Sequence, residues 1–252
     1  MAARTAELAA VNLTLRCSED ARRRLLADVS HELRTPPTVI RGEAEIALRG
    51  QDKALAEYKQ ALGRIAEESA HTARLVDDLL FVARSEAGEA RVTAQAVAFD
   101  DSLNRATAAA RTVANAQDVK VMERATVRGV VVQGDPDRLR QLVLILLDNA
   151  VRYSDPGGEV VVTLAAVAGS VQLTVADSGM GIAPDELECV FERFYRGDGA
   201  AERHFRASGL GLPLARAIAR APGGEVTLES TLGQGTTARL VLPVIRGLKA
   251  AA

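Results

Sequence analysis

The sequence predicts an α+β protein: an antiparallel helical hairpin, which makes a four-helix bundle in a dimer, followed by an α/β sandwich whose mixed sheet is covered by helices. Three observations carry this expectation. Apolar residues recur with helical spacing from the start of the chain to about residue 88. Beyond Gly88, short strand-like runs bounded by glycine and aspartate take over. Strands and helices then intersperse without a regular βαβ repeat, which favours a mixed sheet covered on one face.

The first helix carries the stretch LLADVSHELRTPPTV. At about 100° per residue, Leu25, Leu26, Val29, Leu33 and Ile40 fall within an arc of about 100°, a core-facing stripe. His31 lies about 170° from the centre of that arc and faces water, with Asp28 and Thr35 on the same side. This disfavours a buried core histidine. A metal site would want a second ligand at i+4, where Thr35 stands. A nucleophile held out to solvent and an ordinary solvated histidine both remain. Pro36 removes a backbone donor, and Pro37 should aggravate the break, yet Ile40, Ala44, Ala47 and Leu48 continue the apolar stripe beyond them.

The second helix, from about Asp52 to Glu86, keeps a heptad register. Leu55, Leu62, Ser69, Val76 and Ala83 recur at one position, and Tyr58, Ile65, Thr72 and Leu79 at the other. Gly50 and Asp52 in LRGQDKA supply the helix stop and the next N-cap. One hairpin has too few layers to bury both stripes, so it pairs with a second copy. Equal rise along the two helices brings His31 level with Ser69 to Thr72, a polar and therefore soft layer.

In the second half, VKVMER and TVRGVVVQGD read as strands and Pro136 to Tyr153 as a helix. EVVVTLAAVAGSVQLTVADSG reads as a hairpin turning about Gly169, and PDELECVFERFY as a helix. A glycine-rich stretch then opens another helix, and GEVTLES and GTTARLVLP are the last strands.

The whole chain narrows the class. Its 252 residues suit one or two domains. With 48% apolar and 25% charged residues it can bury a sizeable core, which excludes global disorder. A net charge of −2 argues against a nucleic-acid binder. Cys17 and Cys189 have no C-x-x-C partners, so reduced thiols in the cytoplasm are a simpler reading than a disulfide or zinc site. No apolar run reaches the roughly 18 residues of a membrane span, and no signal-peptide core opens the chain. The opening TAELAAVNLTL is helical without a start signal, which suggests that the natural protein extends upstream into a sensor or membrane segment.

Three segments look chemical. LILLDNAVRYS sets Asn149 near the end of an amphipathic helix, and DSGMGI sets the Asp177 carboxylate at a strand end beside Gly179 and Gly181. SGLGLPLARAIAR opens a helix with Gly209 and Gly211, so that free N–H groups and a helix N-terminus face one spot. Alone, each has a plain reading as a cap, a tight turn or a weak phosphate signal. Their order is what counts. DVSHELRTPPT, LLDNAVRY, DSGMGI, FERFYR and GLGL resemble the H, N, G1, F and G2 boxes of sensor histidine kinases, and GQGTT resembles the further glycine box. The resemblance covers nearly the whole chain after about residue 18.

That resemblance implies an N-terminal signalling helix over 1–17, a dimerisation and histidine-phosphotransfer hairpin over 18–88, and a Bergerat-type ATP-binding domain over 89–248, of the kind shared with gyrase, Hsp90 and MutL. It makes His31 the phosphoacceptor and Glu32 the acid that takes up its proton. The Thr35 position helps orient a water that dephosphorylates the partner's aspartate, so a phosphatase activity is implied as an option. Asp177 would read the adenine amine, and Asn149 would hold Mg²⁺ through its amide oxygen. Arg152 and Arg196 would face phosphate charge, with Tyr153 against the base. Gly179, Gly181, Gly209, Leu210, Gly211 and Leu212 would line the nucleotide, with GDGAAERHFRA as a closing lid. The implied cofactors are ATP and Mg²⁺, and the implied partners are a second copy and a response-regulator receiver domain. The implied location is the cytoplasm, including the cytoplasmic part of a membrane-bound receptor. His71 and His204 read as surface residues.

Three departures qualify the match. Ile145 stands where the N box commonly has a second polar residue, and it can neither ligate a metal nor orient a water. Pro37 replaces a usual leucine beside His31, and Pro222 replaces a frequent histidine. Two competing functions follow: a degenerate kinase acting mainly as a phosphatase or docking partner, and a Bergerat-type ATPase.

Overall fold

The structure is a computed structural model that describes residues 33, 35–49, 54–89, 95–197, 208–246 and 249–250. His31, Glu32 and all but the first residue of the expected lid lie outside the described residues. Contacts divide the chain into two compact units, Met1–Asp77 and Asp78–Ala252.

In the first unit, α1 is helical over 35–48 and runs through Pro36, which is buried, and Pro37, which is exposed. The helix does not end at the prolines, because the stripe beyond them still finds cover: Ile40, Ala44 and Ala47 are half-buried. Leu48, expected in that stripe, is exposed. The second helix, α2, spans Leu55–Glu86. Its two heptad positions separate cleanly. Tyr58, Ile65, Thr72 and Leu79 turn inward, whereas Leu55 and Leu62 stand 69% and 64% exposed on the single chain. The soft layer expected near Ser69 and Thr72 coincides with a cleft of about 470 Å³, which these residues line together with Pro37, Ile40, Ala44 and Val76. Thr72 spends its hydroxyl on the Glu68 carbonyl at 2.8 Å.

The second unit takes in the end of α2 from Asp78, whose Oδ1 accepts from Arg138 Nη1 at 2.9 Å and from Gln141 Nε2 at 3.0 Å. It continues through β1 (Gln95–Ala98), α3 (Phe99–Ala116), β2 (Lys120–Ala125), β3 (Val127–Arg128) and β4 (Val131–Gly134). Then come α4 (Pro136–Tyr153), β5 (Glu159–Val167), β6 (Ser170–Asp177), α5 (Gly211–Arg220), β7 (Glu225–Thr231), β8 (Gly235–Arg246) and β9 (Lys249–Ala250). The main sheet runs β1-β4-β8-β6-β5-β2, with β7 also on β8. Among the described residues only β2 and β5 pair parallel; the sheet's other pairs are antiparallel, so it is mixed. Burial alternates along β5 and β6, and the inward set, Val160, Val162, Leu164, Val171, Leu173 and Val175, shares one core with Leu142, Leu146 and Leu147 of α4. Among the described residues, no helix is long and apolar enough to cross a membrane.

Local chemistry explains most element ends. The β5–β6 hairpin turns at Ala168 and Gly169, both in the left-handed region at φ 43° and 80°, which matches the twist of the strands. Asp135 caps α4: its Oδ1 accepts from the N–H groups of Asp137 at 2.9 Å and Arg138 at 3.0 Å, and Pro136 occupies the first turn. Replacing Asp135 by alanine should cost about 1 kcal/mol, read as a lower midpoint in denaturant unfolding with an unchanged slope.

Two segments differ from the sequence expectation. No element is foreseen between Gly88 and Val119, yet β1 and α3 lie there. Phe99 is fully buried, and its N–H donates to the Val130 carbonyl at 2.9 Å while Asp100 Oδ2 accepts the Val130 N–H at 2.9 Å. The helix expected over PDELECVFERFY is replaced by turns and one 3₁₀ turn, Cys189–Phe191. Phe194 sits there at φ 61°, a conformation that a helix excludes.

Candidate functional site

The site is built where α4 ends. Its last turns bear Asn149, Arg152 and Tyr153, and the loop after β6 is stitched onto them: the Met180 N–H donates to the Tyr153 carbonyl at 3.3 Å. A Cβ on Gly179 would lie 2.1 Å from that same carbonyl oxygen, so only glycine lets the loop approach this closely. Gly181, at φ 69°, packs against the Thr231 carbonyl in the same way. Gly233 N–H to the Met180 carbonyl (2.7 Å) and Ile182 N–H to Ser230 Oγ (2.8 Å) fasten the loop's other side to the β7–β8 turn.

Asp177 is the acid at the centre. Its Oδ1 accepts from the N–H groups of Gly179 at 2.9 Å and Thr236 at 3.1 Å. Both bonds fall on Oδ1, which leaves Oδ2 to accept from a ligand. Burial pushes the carboxyl pKa above its ordinary value, and the two backbone N–H groups partly oppose that shift. Thr236 and Ser230, whose hydroxyls lie 2.8 Å apart, were not singled out from the sequence. Thr236 falls within GQGTT, whereas Ser230 lies in β7, outside that motif.

The side toward α5 opens with Gly209, at φ 68° and in contact with the Phe194 backbone. The Phe194 N–H donates to the Gly209 carbonyl at 3.0 Å. Gly211 starts α5 with no side-chain cap, and a Cβ there would lie 3.3 Å from Ile145 Cγ2 and 4.0 Å from Asn149 Nδ2. The helix N-terminus and Asn149 are therefore neighbours, with the apolar Ile145 side chain beside them. Leu210 is buried and Leu212 packs on the core, so their side chains anchor the turn.

Arg152 pairs with Asp148 at 2.8 Å, and the charges of Arg152 and Arg196 both bear on Tyr153, whose hydroxyl burial pushes up in pKa. Asn149, Arg152, Tyr153, Asp177, Gly179, Gly181, Arg196, Gly209 and Gly211 thus gather around one end of α4. Thr35 lies in the other unit and is exposed, as the helical wheel expects. His71 is exposed on α2, while His204 lies outside the described residues.

No group of three or more His, Cys, Asp or Glu side chains among the described residues could hold a metal. A cation here would draw one ligand from an amide oxygen such as that of Asn149 and the rest from phosphate and water, a donor set that suits Mg²⁺.

Comparison with known proteins bears on both halves of the chain. Residues 21–88 match the His Kinase A (phospho-acceptor) domain, and residues 134–246 match the histidine kinase-, DNA gyrase B- and HSP90-like ATPase family. The histidine protein kinase DivJ of Caulobacter vibrioides is 38% identical over 231 residues, covering 89% of this chain. The chain spans only 38% of that relative's length. The solved structure of the mycobacterial sensor histidine kinase MprB superposes with a TM-score of 0.54 at 30% identity, covering 62% of this chain and 100% of that one. Full-length ShkA, solved in complex with AMPPNP, gives a TM-score of 0.64 at 28% identity over 90% of this chain and 47% of its own. With both domain types present in order and a solved kinase chain of 30% identity covered throughout, the chain belongs to the two-component sensor histidine kinases.

Proposed function

We propose that the chain is the kinase core of such a sensor: it binds ATP with Mg²⁺, transfers the γ-phosphoryl group to His31, and passes it to an aspartate of a response-regulator receiver domain. The observation that carries this reading is the convergence at Tyr153, where the Asp177 loop, Asn149 and the uncapped N-terminus of α5 meet. ShkA's binding of a nucleotide analogue supports ATP as the ligand. Asp177 accepts from the adenine amine, and the α5 N-terminus with Arg152 and Arg196 faces the phosphates. Bound Mg²⁺ offsets phosphate charge. The neutral imidazole of His31 attacks the γ-phosphorus in line; the N–P bond forms as the bond to the ADP oxygen breaks, and ADP leaves with that electron pair. Glu32 takes the proton from the other ring nitrogen. Transfer onward breaks N–P and forms the acyl phosphate of the receiver.

The hairpin over 18–88 serves as dimerisation and phosphotransfer element, and the domain over 89–248 as the ATP-binding element. The exposed Leu55, Leu62 and Val76 stripe supplies the surface for a second copy. The reaction needs ATP and a receiver domain, which places it in the cytoplasm. Incubation with γ-labelled ATP and Mg²⁺ should label the chain with a phosphoramidate that acid removes and alkali spares, and a receiver domain should discharge it. Steady ATP hydrolysis without any label on the chain would instead make the protein an ATPase.

A further inference from the structure

Arg216 lies in α5, past the residues that the phosphates would touch. Its guanidinium carbon stands 3.4 Å from the centroid of the Phe191 ring. Its Nε is 3.2 Å from Glu225 Oε1 at the start of β7, and Glu225 is held in turn by Arg220 Nε at 2.9 Å. The 3₁₀ turn, α5 and β7 are thereby tied at one point. Three residues after Phe191, Phe194 is fixed to the turn that leads into the same helix by its hydrogen bond to the Gly209 carbonyl. Phe194 is a non-glycine residue at φ 61°, a conformation that persists only where the surroundings over-determine it. The Arg216 guanidinium over the Phe191 ring is a further restraint on this segment, and one that a lysine, a point charge without a plane, would reproduce less well.

We infer that Arg216 is a positioning residue for the nucleotide site: stacked on Phe191 and braced by Glu225, it holds the 191–194 strap against α5 and so sets where Gly209 and the first N–H groups of that helix stand for the phosphates. The inference rests on the proposed ATP site. It leaves adenine recognition untouched, because Asp177 is held separately by Gly179 and Thr236.

The test compares R216M, R216K, F191L and the R216M/F191L pair in the full chain. Their affinities for ATP and GTP, the KM and kcat of autophosphorylation, and their thermal midpoints are measured. R216M should weaken ATP binding and raise KM by about tenfold, with the ATP-over-GTP preference unchanged. R216K should fall between R216M and the parent. F191L should weaken ATP binding in the same direction and by no more than R216M, which also loses the Glu225 pair, and the double variant should be no worse than R216M, since both changes remove the same stack. Parental affinity in R216M, losses that add in the pair, or a collapse of base preference would each overturn the inference. R216K carries the test should R216M fail to fold. A parent that binds no ATP would sink the site reading itself, a separate outcome.

Discussion

Replacing His31 by glutamine is expected to abolish label transfer from γ-labelled ATP to the chain while leaving ATP affinity within about twofold of the parent. Glutamine keeps a polar, helix-compatible side chain but has no nitrogen lone pair able to attack phosphorus. The two effects separate because the residues proposed to bind the nucleotide lie in the unit from Asp78 onward, which has a core of its own. A loss of both labelling and binding would mean that the substitution had damaged the fold. Label that persists on the variant would remove His31 from its assigned role and point to another acceptor.

Replacing Asp177 by asparagine should weaken ATP binding by about tenfold to a hundredfold, the range for losing a hydrogen bond to a charged group, with little change in the thermal midpoint. The amide oxygen can still accept from Gly179 and Thr236, so the loop stays in place. Its pH behaviour supplies a second readout. Burial raises the pKa of Asp177, so the ionised carboxylate is less favourable in the folded chain than in the unfolded one. Its contribution to stability is therefore greatest at low pH and declines as pH rises from the ordinary carboxylate range through the raised value. The variant escapes that cost and should be at least as stable as the parent at neutral pH. Parental nucleotide affinity should drop as pH falls through the raised pKa, where the acceptor becomes protonated, and the variant should be flat over the same interval. Equal affinities in parent and variant at neutral pH would remove Asp177 as the adenine reader.

How much of this was legible depended on where the physics is local. The helix α4 could be read to its ends because Asp135, Pro136 and a leucine stripe lie within its own sequence. The β5–β6 hairpin could be read from its alternation and from Gly169. In contrast, α3 buries Ala106, Ala110 and Ala114, and an alanine stripe in an alanine-rich helix has little contrast against its exposed face. PDELECVFERFY misled for the opposite reason. Leu187, Val190 and Phe191 have helical spacing, but Arg216 claims Phe191 and Gly209 claims the Phe194 backbone, and neither partner is near in sequence. Within the candidate site, motif order pointed to Asp177 and the glycines, while the contacts of Thr236 and Ser230 needed coordinates: a backbone N–H leaves no mark on residue type, and Ser230 meets Ile182 across 48 positions of sequence.

The hydrogen bond from Thr236 to Asp177 joins positions 59 residues apart, through a strand that pairs with β4, β6 and β7. On a translating ribosome, β5 and β6 emerge and close their hairpin before that strand exists. The Asp177 carboxylate lacks its Thr236 donor until β8 inserts between β6 and β7, so this corner of the domain is completed late in synthesis.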